Sequence, residues 1–330
     1  MSGGPSFRLA KPEEAGRVVE FINLHFDWKL PVVNRPEFFD FYYRSGQGLQ
    51  FALAEQGGEW LAVVGYIRAS QGPRPDLWAS VWVAKKGANG AGLALMDALP
   101  RLAGAGVLAC NNIRPKTMAL YRFLGWHAGR MGHFYRLAPL PRYQLAQVQA
   151  PAILPVGGDL ALEPVPGPSA LAALGLPETP HTPKKDVWYL ARRYFAFPHL
   201  AYQVYAARHS GALLAYLVCR VADSGRGKVL RIADYIGRDE VLPRLGKAID
   251  RLLLASGAEY AELYCAGLPA AVLEAAGFCE RAEGSADILP NYLTPPLYEN
   301  TDYYYFTSAP EQFVMFRADG DQDRPNLPEA

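Results

Sequence analysis

The densest chemistry in this 330-residue sequence is a glycine-rich turn, KKGANGAGLALMDAL, directly after a strand-like run, LWASVWVA. Gly87, Gly90 and Gly92 lack the Cβ that would crowd a tight turn, so backbone N–H groups there can converge on an anion. A helix starting at Ala91 would aim the positive end of its dipole at the same point, and Lys85 and Lys86 add charge. Lys86, Gly87, Ala88, Asn89, Gly90, Ala91 and Gly92 therefore read as a phosphate-binding loop. Their order is GxxGxG, the reverse of the dinucleotide fingerprint, and Leu93 stands where a P-loop needs lysine. Elsewhere, no Ser-His-Asp order, HExxH or paired carboxylates at usable spacing stand out. Asp319, Asp321 and Asp323 alternate as at the start of a calcium loop. Its sixth position would need glycine and is Arg324, and its twelfth would need glutamate and is Ala330. The tail reads as a solvated acidic end.

A definite order of elements must hold these groups. FRLA is a short strand, and Glu13 to Phe26 has a helical period with Val18, Phe21 and Ile22 on one side. Pro36 to Ser45 forms a second helix with proline in its first turn. Strands QFALAEQ, LAVVGYIRAS and LWASVWVA follow, the first two joined as a hairpin at Gly57-Gly58. The glycine turn enters a helix from Ala91 to Ala103. A strand GVLACNN, a helix from Pro115 to Leu124 and a strand HFYRLA then close the first half.

Residues 138–168 are dense in proline and read as a connector over the surface. The second half repeats the order: DLALEPV, a helix over Lys184 to Phe195, then strands LAYQVYAAR, ALLAYLVCRV and KVLRIADYIG. A helix over Leu242 to Ala255, the strand YAELYCA, a helix over Pro269 to Ala276, and strands YYYFTSA and QFVMFRA complete it. Consecutive strands imply antiparallel pairing, and the helix between the fourth and fifth implies one parallel pair. The expected fold is α/β, a mixed and mostly antiparallel sheet with one parallel pair, built twice. Its expected parts are 1–138, a Pro-rich linker at 139–156, and 157–330.

Bulk composition narrows the function classes. Lys+Arg (33) and Asp+Glu (32) nearly cancel, so no net field favours nucleic acid or an anionic membrane. Cys110, Cys219, Cys265 and Cys279 show no CxxC spacing and no neighbouring histidines, which argues against metal and for reduced thiols in a cytoplasmic setting. No signal-peptide core and no run of about 20 apolar residues stands out, so neither secretion nor a membrane span is expected.

GxxGxG after a strand resembles the pyrophosphate loop of the GCN5-related N-acetyltransferase (GNAT) superfamily, with Gly87 where that family usually has Gln or Arg. The segment NNIRPKTMALYRFLGWHAGR resembles a second GNAT motif through Leu120, Tyr121, Gly125 and Trp126, with Arg114 and Thr117 in place of its Asn and Ala. The resemblance implies acetyl-CoA as co-substrate, no metal, and a small-molecule amine as acceptor. It implies that Tyr121 protonates the departing thiolate, and a phenol of ordinary pKa near 10 suits that task. Backbone donors near Val81, Trp82 and Val83 would steady the oxyanion, and Asn112 joins the cofactor set. The first interhelical loop would border the acceptor, which makes His25, Trp28, Lys29 and Arg35 acceptor-site residues. Asp76 is the candidate base, with His127 and His133 as alternatives. In the second half Leu273 takes the place of Tyr121 and the glycine triplet is absent, so that half reads as a scaffold or acceptor-shaping domain with Asp234 as an acceptor-binding residue, the alternative being that it is itself the catalyst and uses Asp234. The tail is similar to the ends of GNAT-like proteins of bacterial surface-polysaccharide pathways, which suggests an amino sugar or nucleotide-linked amino sugar. A non-catalytic coenzyme-binding protein and an amino-acid or peptide acetyltransferase are the alternatives.

Overall fold

The computed structural model describes residues 4–44, 48–88 and 90–325. The chain opens with β1 (Ser6–Leu9), α1 (Ala15–His25), α2 (Pro31–Asn34) and α3 (Pro36–Tyr43), then β2 (Phe51–Gln56), β3 (Glu59–Arg68) and β4 (Leu77–Ala84). Next come α4 (Ala91–Leu102), β5 (Leu108–Asn111), α5 (Met118–Phe123), β6 (His127–Arg130) and β7 (Gly132–Leu137). The second half holds β8 (Leu162–Pro164), α6 (Pro168–Leu174), α7 (Val187–Phe195), β9 (Gln203–His209), β10 (Ala212–Asp223) and β11 (Lys228–Gly237). It ends with α8 (Gly246–Ser256), β12 (Tyr260–Ala266), α9 (Ala270–Ala275), β13 (Cys279–Arg281), β14 (Tyr304–Thr307) and β15 (Met315–Phe316).

The mixed class is as expected: two sheets, mostly antiparallel, with a parallel pair β4–β5 in one and β11–β12 in the other. Their strands are not divided as the sequence is. The first sheet runs β1-β2-β3-β4-β5-β14-β6, and the second β13-β7-β12-β11-β10-β9-β8. Strand β14, from near the C-terminus, lies antiparallel between β5 and β6. Strand β7, expected to close the first half, lies instead between β12 and β13. One residue, Met131, separates β6 from β7, too little for a hairpin, so the chain steps from one sheet to the other. From His133 to Leu137 every residue of β7 is buried, as a central strand requires. A division at residue 138 thus follows a strand of the second sheet.

Helix α4 lays Leu95, Met96 and Leu99 on one face of the first sheet, against Val64, Leu77, Leu108 and Phe306. On the other face α1 and α3 bury Val18, Ile22, Phe38 and Tyr42 in an apolar cluster that continues through Tyr189, Leu190 and Tyr194 of α7. The two halves therefore share a core. The Pro-rich connector is partly built in: Leu145 is fully buried, and the Glu259 carboxylate accepts from the N–H groups of Gln144, Leu145 and Ala146 at 2.9, 2.8 and 3.3 Å. The helix expected from Lys184 begins at Val187, where Asp186 caps it by accepting from the Tyr189 N–H at 2.8 Å. No helix among the described residues is long and apolar enough to cross a membrane.

Candidate active site

Strands β4 and β5 pair only at Leu77–Leu108 and Trp78–Ala109, and beyond that point they part. The register of β4 on β3 shifts between Val64 and Tyr66, which places one extra residue in β4 at Ser80–Val81. Such a bulge turns backbone groups away from the ladder. The resulting wedge is a cleft of about 750 Å³, lined by Ser80 to Ala84, Cys110 to Asn112, His25, Trp28, Thr117, Tyr121 and the tail residues Asp321, Gln322 and Arg324.

Of the expected site residues, Val81, Trp82, Val83, Asn112, Tyr121, His25 and Trp28 line this one cleft. Tyr121 is buried, with its ring stacked on Phe306 at 4.1 Å and its hydroxyl against the Thr117 side chain. Burial pushes the phenol above its ordinary value, and the nearby Cys110 thiol adds to the rise, so Tyr121 holds its proton. Trp28 is half exposed on the cleft wall, with the Arg114 guanidinium 5.2 Å from its ring centre.

The glycine loop lies where β4 runs into α4. Gly87 and Gly90 both have φ +82°, a left-handed backbone that favours glycine, and Gly90 caps α4. Gly92 is needed for packing: a Cβ there would sit 2.9 Å from that of Ala84, and its carbonyl accepts from Trp82 Nε1 at 3.1 Å. Lys86, Ala88 and Ala91 belong to the same turn, whereas Asn89 lies outside the described residues.

Three expected roles do not fit their surroundings. Asp76 is buried ahead of β4, and its two oxygens accept from the N–H groups of Val107 and Lys184, each at 2.7 Å. It ties backbone segments together, away from the cleft, and has no free oxygen for an amine proton. Asp234 is fully buried in the second half, bound to Lys185 Nζ at 2.7 and 2.8 Å and accepting from the Tyr194 hydroxyl, out of reach of an acceptor. Lys29 is exposed, and Arg35 pairs with Glu37 at 3.5 Å, so neither borders the cleft. Of the alternative bases, His133 is buried between Glu262 at 3.1 Å and Arg281 at 2.9 Å, and burial holds its pKa down. His127 is exposed on β6.

The tail supplies what the sequence reading missed. Asp319, Asp321 and Asp323 are all buried, each with its own partner. Asp319 pairs with Lys185 at 2.6 Å, and Asp323 grips Arg220 through both oxygens at 2.6 and 2.8 Å. Asp321 reaches the cleft, where it accepts from the Ser80 hydroxyl at 2.8 Å; that hydroxyl is also 2.7 Å from the Tyr43 hydroxyl. No cluster of three or more metal-ligating acid, histidine or cysteine side chains occurs among the described residues.

The second half repeats the geometry and closes it. Strands β11 and β12 pair over Val229–Arg231 and then part, and β11 carries its own bulge opposite Val218–Cys219. The chain's own segment fills that wedge. Strand β15 pairs with Cys265 and Ala266, Arg317 N–H donates to the Tyr264 carbonyl at 3.2 Å, and Ala318 N–H donates to the Ala233 carbonyl at 3.3 Å.

No protein-family model matches the sequence, and no curated protein matches it. Solved structures match across nearly the whole chain. A GCN5-related N-acetyltransferase from Anabaena variabilis ATCC 29413 superposes with a TM-score of 0.54 at 13% identity, over 92% of this chain and 72% of that one. Another from Kribbella flavida gives 0.50 at 16% identity, over 92% and 71%. A conserved protein of unknown function from Enterococcus faecalis V583 gives 0.53 at 12% identity, over 94% and 74%. The likeness is one of fold: the chain carries two GNAT-like domains in tandem.

Proposed function

We propose that the protein is an acetyl-CoA-dependent N-acetyltransferase with its one working cleft between β4 and β5. The observation that carries this reading is the contrast between the two wedges: one stands open against Tyr121, and the other is filled by residues 315–318. The glycine loop and the N-terminus of α4 would take the coenzyme's pyrophosphate. A neutral acceptor amine attacks the thioester carbonyl, and backbone N–H groups at the Ser80–Val81 bulge steady the developing oxyanion. As the C–S bond breaks, Tyr121 gives its proton to the sulfur. Asp321, alone or through the Ser80 hydroxyl, takes the proton the amine loses. Holding both reactants in one cleft supplies much of the rate. The exposed face of Trp28 suits an amino sugar or a nucleotide-linked amino sugar, as the tail's resemblance suggested.

Calorimetric titration of acetyl-CoA into the intact protein and into Gly90→Glu tests this reading. A Cβ at Gly90 meets nothing within 4 Å, but φ +82° strains any side chain there, so Gly90→Ala, which carries the strain without the charge, is titrated beside it as the control. One site per chain, lost in Gly90→Glu but kept in Gly90→Ala, is expected. No binding, or equal binding to wild type and Gly90→Glu, would overturn the proposal.

A further inference from the structure

Asn112, Gln322 and Arg324 border the cleft on one side and a second cavity, of about 500 Å³, on the other. Pro31 and Phe38 also line this cavity, which places it on the α1–α3 face of the first sheet, opposite α4 and the glycine loop. Arg220, Arg231, Arg317 and Arg324 face it. The side chains of the first three are only 10%, 7% and 11% exposed.

Buried charge of one sign needs an answer of the other. Two buried carboxylates answer these three guanidiniums. Asp323 holds Arg220 through both oxygens and lies 3.5 Å from Arg317 Nε. Glu262 Oε1 is 2.7 Å from Arg231 Nε, within ion-pair distance but without hydrogen-bond alignment. The Nε groups of Arg231 and Arg317 are both buried with no hydrogen-bond partner among the described residues. Burial is the main cause that holds the Arg231 pKa down; Glu262 opposes it, and the guanidiniums of Arg317 and Arg220 add smaller contributions to the fall. Asp223 at the rim is exposed, and Arg324 adds a fourth cation whose own partner, Asp321, is 3.8 Å away. Arg317 is held in place by Tyr303, 5.3 Å from its ring centre, and by the Asn291 side-chain oxygen. An excess of fixed, planar donors facing a cavity matches a phosphate or carboxylate.

We propose that this cavity seats an anionic group, phosphate or carboxylate, carried by the acceptor amine. The acceptor then spans the wall of Asn112, Gln322 and Arg324, with its amine toward Asp321 and its anion among the arginines. The assignment rests on the acetyltransferase reading and narrows its substrate class to amines bearing an anionic arm.

The test titrates inorganic phosphate and sodium acetate separately into the intact protein, with and without saturating coenzyme A. One anion is expected to bind at a single site whether or not coenzyme A is present, and about tenfold more weakly in Arg324→Gln and Arg317→Gln. Which anion binds distinguishes phosphorylated from carboxylated acceptors. Arg324 is 26% exposed, so Arg324→Gln carries the test should Arg317→Gln misfold. No binding of either anion, binding abolished by coenzyme A, or binding unchanged in Arg324→Gln overturns the assignment. Arg324-dependent anion binding in a protein that fails to bind acetyl-CoA would sink the transferase reading while supporting the anion seat.

Discussion

Replacing Phe306 with alanine is expected to destabilise the whole chain, though the residue comes from β14 at the far end of the sequence. Phe306 is fully buried in the first sheet, stacked 4.1 Å from Tyr121 and 5.2 Å from Trp126, with Cys110 and Ala128 as its strand neighbours. Truncating such a phenylalanine costs roughly 3–5 kcal/mol. If the 330 residues unfold as one unit, average entropies put the unfolding entropy on the order of 0.7 kcal/mol/K. A loss of about 4 kcal/mol then lowers Tm by about 6 °C. If the first sheet melted alone, with about half the residues, the same loss would lower its own transition by about 12 °C and leave the other in place. The exchange of β7 and β14 and the core shared through α7 favour the first case. Differential scanning calorimetry of wild type and Phe306→Ala separates them. Two transitions in the variant, with the upper one unmoved, would refute the reasoning.

Tyr121→Phe keeps the ring stack, so acetyl-CoA affinity should stay within about twofold while turnover with an accepted amine falls about tenfold or more. An unchanged rate of thiol release would remove Tyr121 from the mechanism. Asp321→Asn should likewise keep coenzyme affinity and slow acetylation at neutral pH about tenfold or more, and wild-type kinetics would exclude it as the base. Burial, against the opposing pull of Lys185, lifts the Asp319 carboxyl to about 7, well above its ordinary range near 3.9. From about pH 4 to 7 the folded state therefore keeps a proton that the unfolded chain has lost, and this group's contribution to stability falls as pH rises. Asp319→Asn should lose that component, so its Tm drops less than that of wild type between pH 5 and 8. Parallel Tm curves would count against a proton retained on Asp319.

Most of the order of elements was legible because periodicity and turn residues record local structure, but the short elements β6, α6 and β13 left no such pattern. Gly87 and Gly90 announced their loop because only glycine takes a φ of +82° cheaply. The strand exchange left no such trace. HFYRLA reads as a strand, but nothing in it says that both its faces are buried or which sheet takes it. Asp76 was misassigned for the same reason: its partners, the amides of Val107 and Lys184, are distant in sequence and meet it only in the fold. The aspartates of the tail looked solvated because acidic chain ends usually are. Their burial depends on a groove that exists only once both sheets have formed. The arginines of the second cavity come from β10, β11 and the tail, a convergence no local pattern can display.

The crossed strands also set a timetable for synthesis. When β6 leaves the ribosome, its partner β14 is still roughly 170 residues from being made. At 5–20 residues per second that is an interval of about 10–35 s. Throughout it the edges of β5 and β6 facing β14 stay unpaired, and Tyr121 and Trp126 lack the ring that covers them. The nascent first half must therefore wait with an open apolar slot, and any strand-like segment of a neighbouring nascent chain could fill it first. Overexpression on crowded polysomes should thus favour misassembly, and slow or chaperone-assisted synthesis should favour the native exchange.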